Sequence, residues 1–139
     1  MDRILGYSFH KLVQTEGWLA FRELEYSICK RFAKIENSII CLGGGTVRYE
    51  WNMDVLAGSA SIILLTASLQ ELIRRVQLAD RPRVNVGTTV EEDIRMIWQK
   101  SGGKYYHAAD VVYATDHKSI DEAVQDLKDI ITDLKLKLI

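Results

Sequence analysis

Apolar residues change their spacing along this chain, and the changes divide it into elements. Leu24, Ile28, Phe32 and Ile35 recur at three- and four-residue steps, and Phe21 extends the stripe. Arg22, Glu23, Glu25, Lys30 and Lys34 fall off it. That period predicts an amphipathic helix from about Gly17 to Glu36. The spacing then collapses into three short continuous runs. Ser38-Ile39-Ile40-Cys41-Leu42 ends in Gly43-Gly44-Gly45; Ser61-Ile62-Ile63-Leu64-Leu65-Thr66 and Asp110-Val111-Val112-Tyr113-Ala114 follow. Each is rich in β-branched residues and stops at a polar break, the pattern of a strand covered on both faces. Ser68-x-x-Glu71 reads as a capping box opening a helix through about Leu78. Thr88 and Glu91 are placed to open another through Lys100, and Ser119-x-x-Glu122 opens the last. In that last helix Ile120, Val124, Leu127, Ile131 and Leu134 form one stripe. Strand and helix alternate, so the predicted class is α/β: a three-layer α/β/α arrangement around a short parallel sheet.

A length of 139 residues fits a single domain over residues 1–139. Eighteen basic residues against nineteen acidic ones give a net charge of −1, which argues against a nucleic-acid or membrane surface. Cys29 and Cys41 are too few for a disulfide framework and lack metal-ligand spacing. Met1-Asp2-Arg3 leads straight into amphipathic sequence, with no signal peptide and no apolar run of membrane-spanning length. The expectation is a cytoplasmic protein in a reduced environment.

In a parallel α/β sheet ligands bind beyond the carboxyl ends of the strands. Those ends carry Gly43 to Thr46, Thr66 to Ser68 and Thr115 to His117. Three glycines after a buried strand let backbone approach a ligand and expose amide donors. A tight turn, or a helix packed close to the sheet, would explain them equally well. Arg74, Arg75, Arg81 and Arg83 flank the sole proline, Pro82, in a segment with few apolar anchors, and a functional loop is expected there. Arg22 and Glu25, three apart, read as a surface ion pair. His10, His107 and His117 show no metal spacing and read as surface or cap residues; Trp18, Trp51 and Trp98 read as core or partly buried packing residues. Gly102-Gly103-Lys104-Tyr105 contains Gly-Lys, but Tyr105 stands where a phosphate-cradling loop needs Ser or Thr, and Trp98 where it needs Gly.

Taken in order, several segments resemble shikimate kinases. Leu5-Gly6-Tyr7-Ser8-Phe9 with Leu12-Val13 is similar to the family's opening Thr-Gly-x-Ser-Ile…Ile-Phe. The run from Glu16 to Glu25 is similar to its Gly-x-x-x-Phe-Arg-x-x-Glu helix. Ile40-Cys41-Leu42-Gly43-Gly44-Gly45-Thr46-Val47 resembles its strand and triple-glycine turn. Leu72-Ile73-Arg74-Arg75 with Asp80-Arg81-Pro82 resembles the adenine-side arginine and the lid, and Tyr105 with Ala109-Asp110-Val111-Val112 the approach to the last strand. The resemblance implies transfer of the ATP γ-phosphoryl group to the 3-hydroxyl of shikimate. It places shikimate on Arg22 and the backbone of Gly43, Gly44 and Gly45, adenine against Arg74, and Arg81 as the lid arginine that screens the transferring charge.

The departures are as informative. Family members begin with a strand, a P-loop and a helix, then a second strand ending in an Asp-x-Asp-like element; these residues match the family only after that point. They hold no counterpart of the P-loop amides and lysine, of the Ser/Thr that holds magnesium, or of the aspartate on shikimate's hydroxyls. Ser101 stands where the family has an arginine, with Lys100 and Lys104 nearby, and the lid reads Arg81-Pro82-Arg83-Val84. The expectation is therefore a truncated P-loop-kinase fold missing its first two strands, an inactive relative with no cofactor of its own. ATP and magnesium enter only if a P-loop half is supplied by a partner chain or by upstream sequence. Three strands without their central neighbour either close ranks or pair, through exposed edges, with a second copy or a P-loop-bearing chain. No metal, nucleic acid or membrane is expected as a partner.

Overall fold

The computed structural model describes residues 1–78, 84, 85 and 87–136, and they fall into two compact units, 1–60 and 61–139. In the first, a short helix α1 (Asp2–Leu5) precedes the long helix α2 (Phe9–Phe32). Ser8 caps α2, its hydroxyl accepting from the His10 amide at 3.3 Å. Gly17 interrupts α2 with φ 85 and ψ 176, a conformation L side chains rarely adopt, so two helical stretches meet there at an angle. The helix predicted from about Gly17 to Glu36 is the second stretch, and it ends earlier. Its most buried line is Phe21, Glu25 and Cys29 at four-residue steps, with Leu12 buried in the stretch before the break. That line lies one position round from the apolar stripe read from the sequence, because its middle member is a carboxylate.

Residues 38–42 form no strand among the described residues, and this corrects the expected third strand. A parallel strand exists only where a neighbour supplies donors and acceptors. No extended segment of residues 1–60 lies beside this one, and Ile39 is 80% exposed. Beyond it a 3₁₀ turn (Thr46–Arg48) leads into helix α3 (Glu50–Ala57), which packs on α2. The tryptophans are also more exposed than expected: Trp18 59%, Trp51 46% and Trp98 43%.

The second unit is α/β, with strand β1 (Ile63–Thr66), helices α4 (Leu69–Leu78) and α5 (Val90–Ala108), strand β2 (Val111–Ala114) and helix α6 (Ile120–Leu136). Among the described residues the sheet has two strands rather than three that close ranks. They run parallel with Ile63 opposite Val111 and Thr66 opposite Ala114. Asp110 pins the start of the pair: its amide donates to the Ile62 carbonyl at 2.9 Å while its carboxylate accepts from the Ile62 amide at 2.7 Å. Leu65 and Val112 remain half exposed.

The capping chemistry is close to expectation. Ser119 and Glu122 close a reciprocal box on α6, the Ser119 amide donating to Glu122 Oε2 at 2.8 Å and the Glu122 amide to Ser119 Oγ at 3.2 Å. At α5 the box sits one residue later than predicted, on Thr89 and Glu92. That helix runs on to Ala108, so Gly102-Gly103-Lys104-Tyr105 is helical. At Gly102 an added Cβ would lie 3.2 Å from the Trp98 indole, so a side chain there would displace that ring by a few tenths of an ångström. Replacing Thr89 with alanine should lower stability by about 1 kcal/mol without changing the fold, read as a shift of the urea midpoint at constant slope.

Candidate functional site

The first unit gathers polar side chains around the triple glycine. Arg22 lies on the second stretch of α2, only 15% exposed, and its Nη1 donates to Glu25 Oε2 at 2.9 Å. This is a buried pair, not the surface contact its spacing suggested. The guanidinium carbon sits 4.4 Å from the Tyr49 ring centroid and 4.8 Å from that of Phe21, so aromatic faces fix its plane. Arg22 Nε is buried and has no hydrogen-bond partner.

Glu25 is held from three sides. Besides Arg22, Thr46 Oγ1 donates to its Oε1 at 3.3 Å and Asn52 Nδ2 to its Oε2 at 3.2 Å. Asn52 Nδ2 also donates to the Thr46 carbonyl at 3.2 Å. Burial raises the pKa of the neighbouring Cys29 thiol above its ordinary value, and the Glu25 charge adds to the effect.

The glycines close on this cluster. The Thr46 amide donates to the Gly43 carbonyl at 3.0 Å and the Arg48 amide to that of Gly45 at 3.2 Å. Neither Gly43 nor Gly45 has a positive φ, so a left-handed turn is not why they are glycine. A Cβ on Gly45 would stand 3.4 Å from Arg48 Nη2 and 3.7 Å from Arg22 Nη1. Its absence keeps open the space between two guanidinium groups and exposed backbone, an arrangement suited to an anion that accepts in-plane hydrogen bonds.

In the second unit the strand ends carry a separate cluster. Thr115 donates to the Thr66 carbonyl through both its amide and its Oγ1, each at 2.8 Å. Arg75 clamps Thr115 from above, Nη1 to Oγ1 at 2.8 Å and Nη2 to the carbonyl at 3.0 Å. Glu71 receives Arg75 Nε at 2.6 Å and a bidentate pair from Arg74 at 2.7 Å. The Ser68 amide donates to both oxygens of Asp116, which takes the place Glu71 would have filled in a closed capping box. The Arg74 side chain is 61% exposed. Arg81 and Pro82 lie outside the described residues. The loop beyond them is anchored by buried Asp93, whose carboxylate accepts from the Val84 amide at 3.1 Å and the Asn85 amide at 2.8 Å.

Sequence reasoning singled out Arg22 and the glycines, reached Thr46 and Asp116 only as members of the strand ends, and missed Asn52 and Asp93. A usable signal existed for two of the cluster residues. Glu25 falls on the buried i, i+4 line between Phe21 and Cys29, and Asn52 falls four residues before buried Leu56.

The shikimate kinase family model matches residues 1–132. The chain belongs to the shikimate kinase family. A shikimate kinase of Chlorobium luteolum is 32% identical over 135 residues, covering 91% of this chain and 66% of the relative. The chain thus spans just under two thirds of the length of the first curated relatives it matches. Two solved shikimate kinases share the fold. One is from Acinetobacter baumannii, in complex with shikimate, with TM-score 0.82 and 20% identity over 97% of this chain and 75% of that one. The other, from Bacteroides thetaiotaomicron, has TM-score 0.80 and 22% identity over 94% and 78%.

The arginines set the acid behaviour of the second unit. Hydrogen bonds from Arg74 and then Arg75 lower the Glu71 pKa from its ordinary 4.5 to about 2. Hydrogen bonds from Ser68 lower Asp116, and Thr89, Ser119 and Lys118 do the same for Glu92, Glu122 and Asp126. A carboxylate with a depressed folded pKa contributes stability that is complete above its unfolded value and lost as pH falls through the folded one. The thermal midpoint should therefore hold from neutrality to about pH 5 and fall between pH 4.5 and about 2. Glu71→Gln should flatten part of that fall, measured by thermal melts across the acid range; an unchanged slope would exclude Glu71 as a contributor.

Proposed function

We propose that residues 1–60 carry the acceptor-binding site of a shikimate kinase, with Arg22 and the Gly43–Gly45 turn holding shikimate through its carboxylate. The observation that carries this reading is the Arg22 guanidinium at the glycine turn: its Nη1 lies 3.7 Å from the Cβ position that Gly45 leaves empty, and its buried Nε has no hydrogen-bond partner. A buried guanidinium donor left unpaired costs free energy that a bound carboxylate restores. Gly43, Gly44 and Gly45 let the substrate ring approach the backbone. The complex of the Acinetobacter baumannii relative with shikimate supports the same ligand class.

The reaction of the family moves the ATP γ-phosphoryl group to the shikimate 3-hydroxyl, and these residues carry part of what it needs. Arg74 lies against adenine in this reading, its guanidinium held in plane by Glu71, and Arg81 is the lid arginine. Among the described residues no group of three or more His, Cys, Asp or Glu side chains could hold a metal ion. A preorganised charge-stabilising donor is worth about 3 kcal/mol, and an arginine finger about 10³ to 10⁵ in rate. Without P-loop amides and lysine, the 139 residues alone bind acceptor and do not transfer phosphate. The phosphate-binding half comes from upstream sequence or from a second chain. The half-exposed strand pair, and the match to about two thirds of the relatives' length, support such completion.

Titration calorimetry of the purified chain should show shikimate binding that Arg22→Ala weakens by more than about tenfold. Gly45→Ala, which fills the cradle, should weaken it as well. Absence of wild-type binding at millimolar shikimate would sink the acceptor reading, and phosphoryl transfer by the 139 residues alone with ATP and magnesium would sink the dependence on a separate P-loop.

A further inference from the structure

We infer that Asn52 is a positioning residue for the acceptor site: one side-chain amide holds Glu25 and the carbonyl of the glycine turn together, and so fixes where Arg22 points. The inference rests on the acceptor-site reading and extends it to a residue that does not touch the ligand. Asn52 is 0% exposed, the most completely buried polar residue among those described. Its Nδ2 donates to Glu25 Oε2 and to the Thr46 carbonyl, each at 3.2 Å, which uses both protons of the amide. The amide can sit only this way round, because turning it would set Oδ1 against two acceptors.

The same Glu25 oxygen that accepts from Asn52 also accepts from Arg22 Nη1. Asn52 thereby sets the position of that oxygen, and the oxygen sets the guanidinium against the Tyr49 ring. The second proton ties the same point to Thr46, the residue directly after the glycines. Arginine and turn are consequently held in one register, although they lie more than twenty residues apart in sequence. Asn52 Oδ1 has no partner, so its burial is a cost that the two donated bonds offset. An apolar residue at this place in α3 would avoid the cost and lose the clamp.

The test uses the full chain with Asn52→Asp, which sets a carboxylate against Glu25, and Asn52→Ser, whose single hydroxyl can reach one partner at most. Folding of each is checked by circular dichroism and thermal melting. Two readouts follow in the folded proteins: shikimate affinity by calorimetry, and the NMR signal of the Arg22 Nε–H group, assigned by its loss in Arg22→Lys. In Asn52→Asp the Nε signal should shift and broaden and shikimate should bind about tenfold more weakly or worse, with Asn52→Ser between it and wild type. A Nε signal and an affinity within about twofold of wild type in a folded variant would overturn the inference. If Asn52→Asp does not fold, Asn52→Ser decides by the same thresholds. If wild type itself binds no shikimate, the acceptor reading fails and the Arg22 signal alone decides the role of Asn52.

Discussion

Glu25 is a carboxylate taken out of water, and a buried charge persists only where donors surround it. Arg22, Thr46 and Asn52 supply them, from the long helix, the turn after the glycines and the short helix beyond. Those bonds join the parts of the first unit that have no strand to join them. Residues 38–42 have no regular secondary structure and pair in no sheet among the described residues, so the position of the glycine turn depends on side chains and not on a backbone ladder. Removing any one donor would leave the carboxylate buried and under-satisfied, which is why the cluster acts as a unit.

The second unit solves a different problem with the same chemistry. A two-stranded parallel pair is intrinsically weak and has to be held at both ends. Asp110 holds the start through Ile62, and Thr115 holds the finish through Thr66. Arg75 and Glu71 then tie the finish to α4, and Asp116 ties it to the Ser68 amide just before that helix. Arginines that read in sequence as loop charges are in part structural, since Arg75 is spent on Thr115 while Arg74 keeps one side of its guanidinium outward.

Much of this was legible beforehand. Periodicity found the second stretch of α2 and helix α6, and the starts of α4, α5 and α6 followed from Ser or Thr with Glu three residues on, within one residue; α1, the first stretch of α2 and α3 were not anticipated. The two strands that pair were found from their continuous apolar runs, and the family from short motifs in the right order. The failures share a cause. Ser38–Leu42 has strand composition, but composition cannot report whether a neighbour exists. Arg22 and Glu25 have the spacing of a surface pair, and burial depends on what the far side of the helix meets. The tryptophans are apolar enough for a core and stand half exposed.

The sequence by itself determined the two strands that pair, the capped helices of the second unit and the family, because these rest on local spacing and on residues near one another in the chain. Tertiary structure alone decided that Glu25 is buried, that Asn52 joins it to the glycine turn, and that the Arg22 guanidinium stands beside Gly45. The bonds of Glu25 to Thr46 and Asn52 join residues 21 and 27 positions apart, and a hydrogen bond at that range is set by packing geometry that no local pattern encodes.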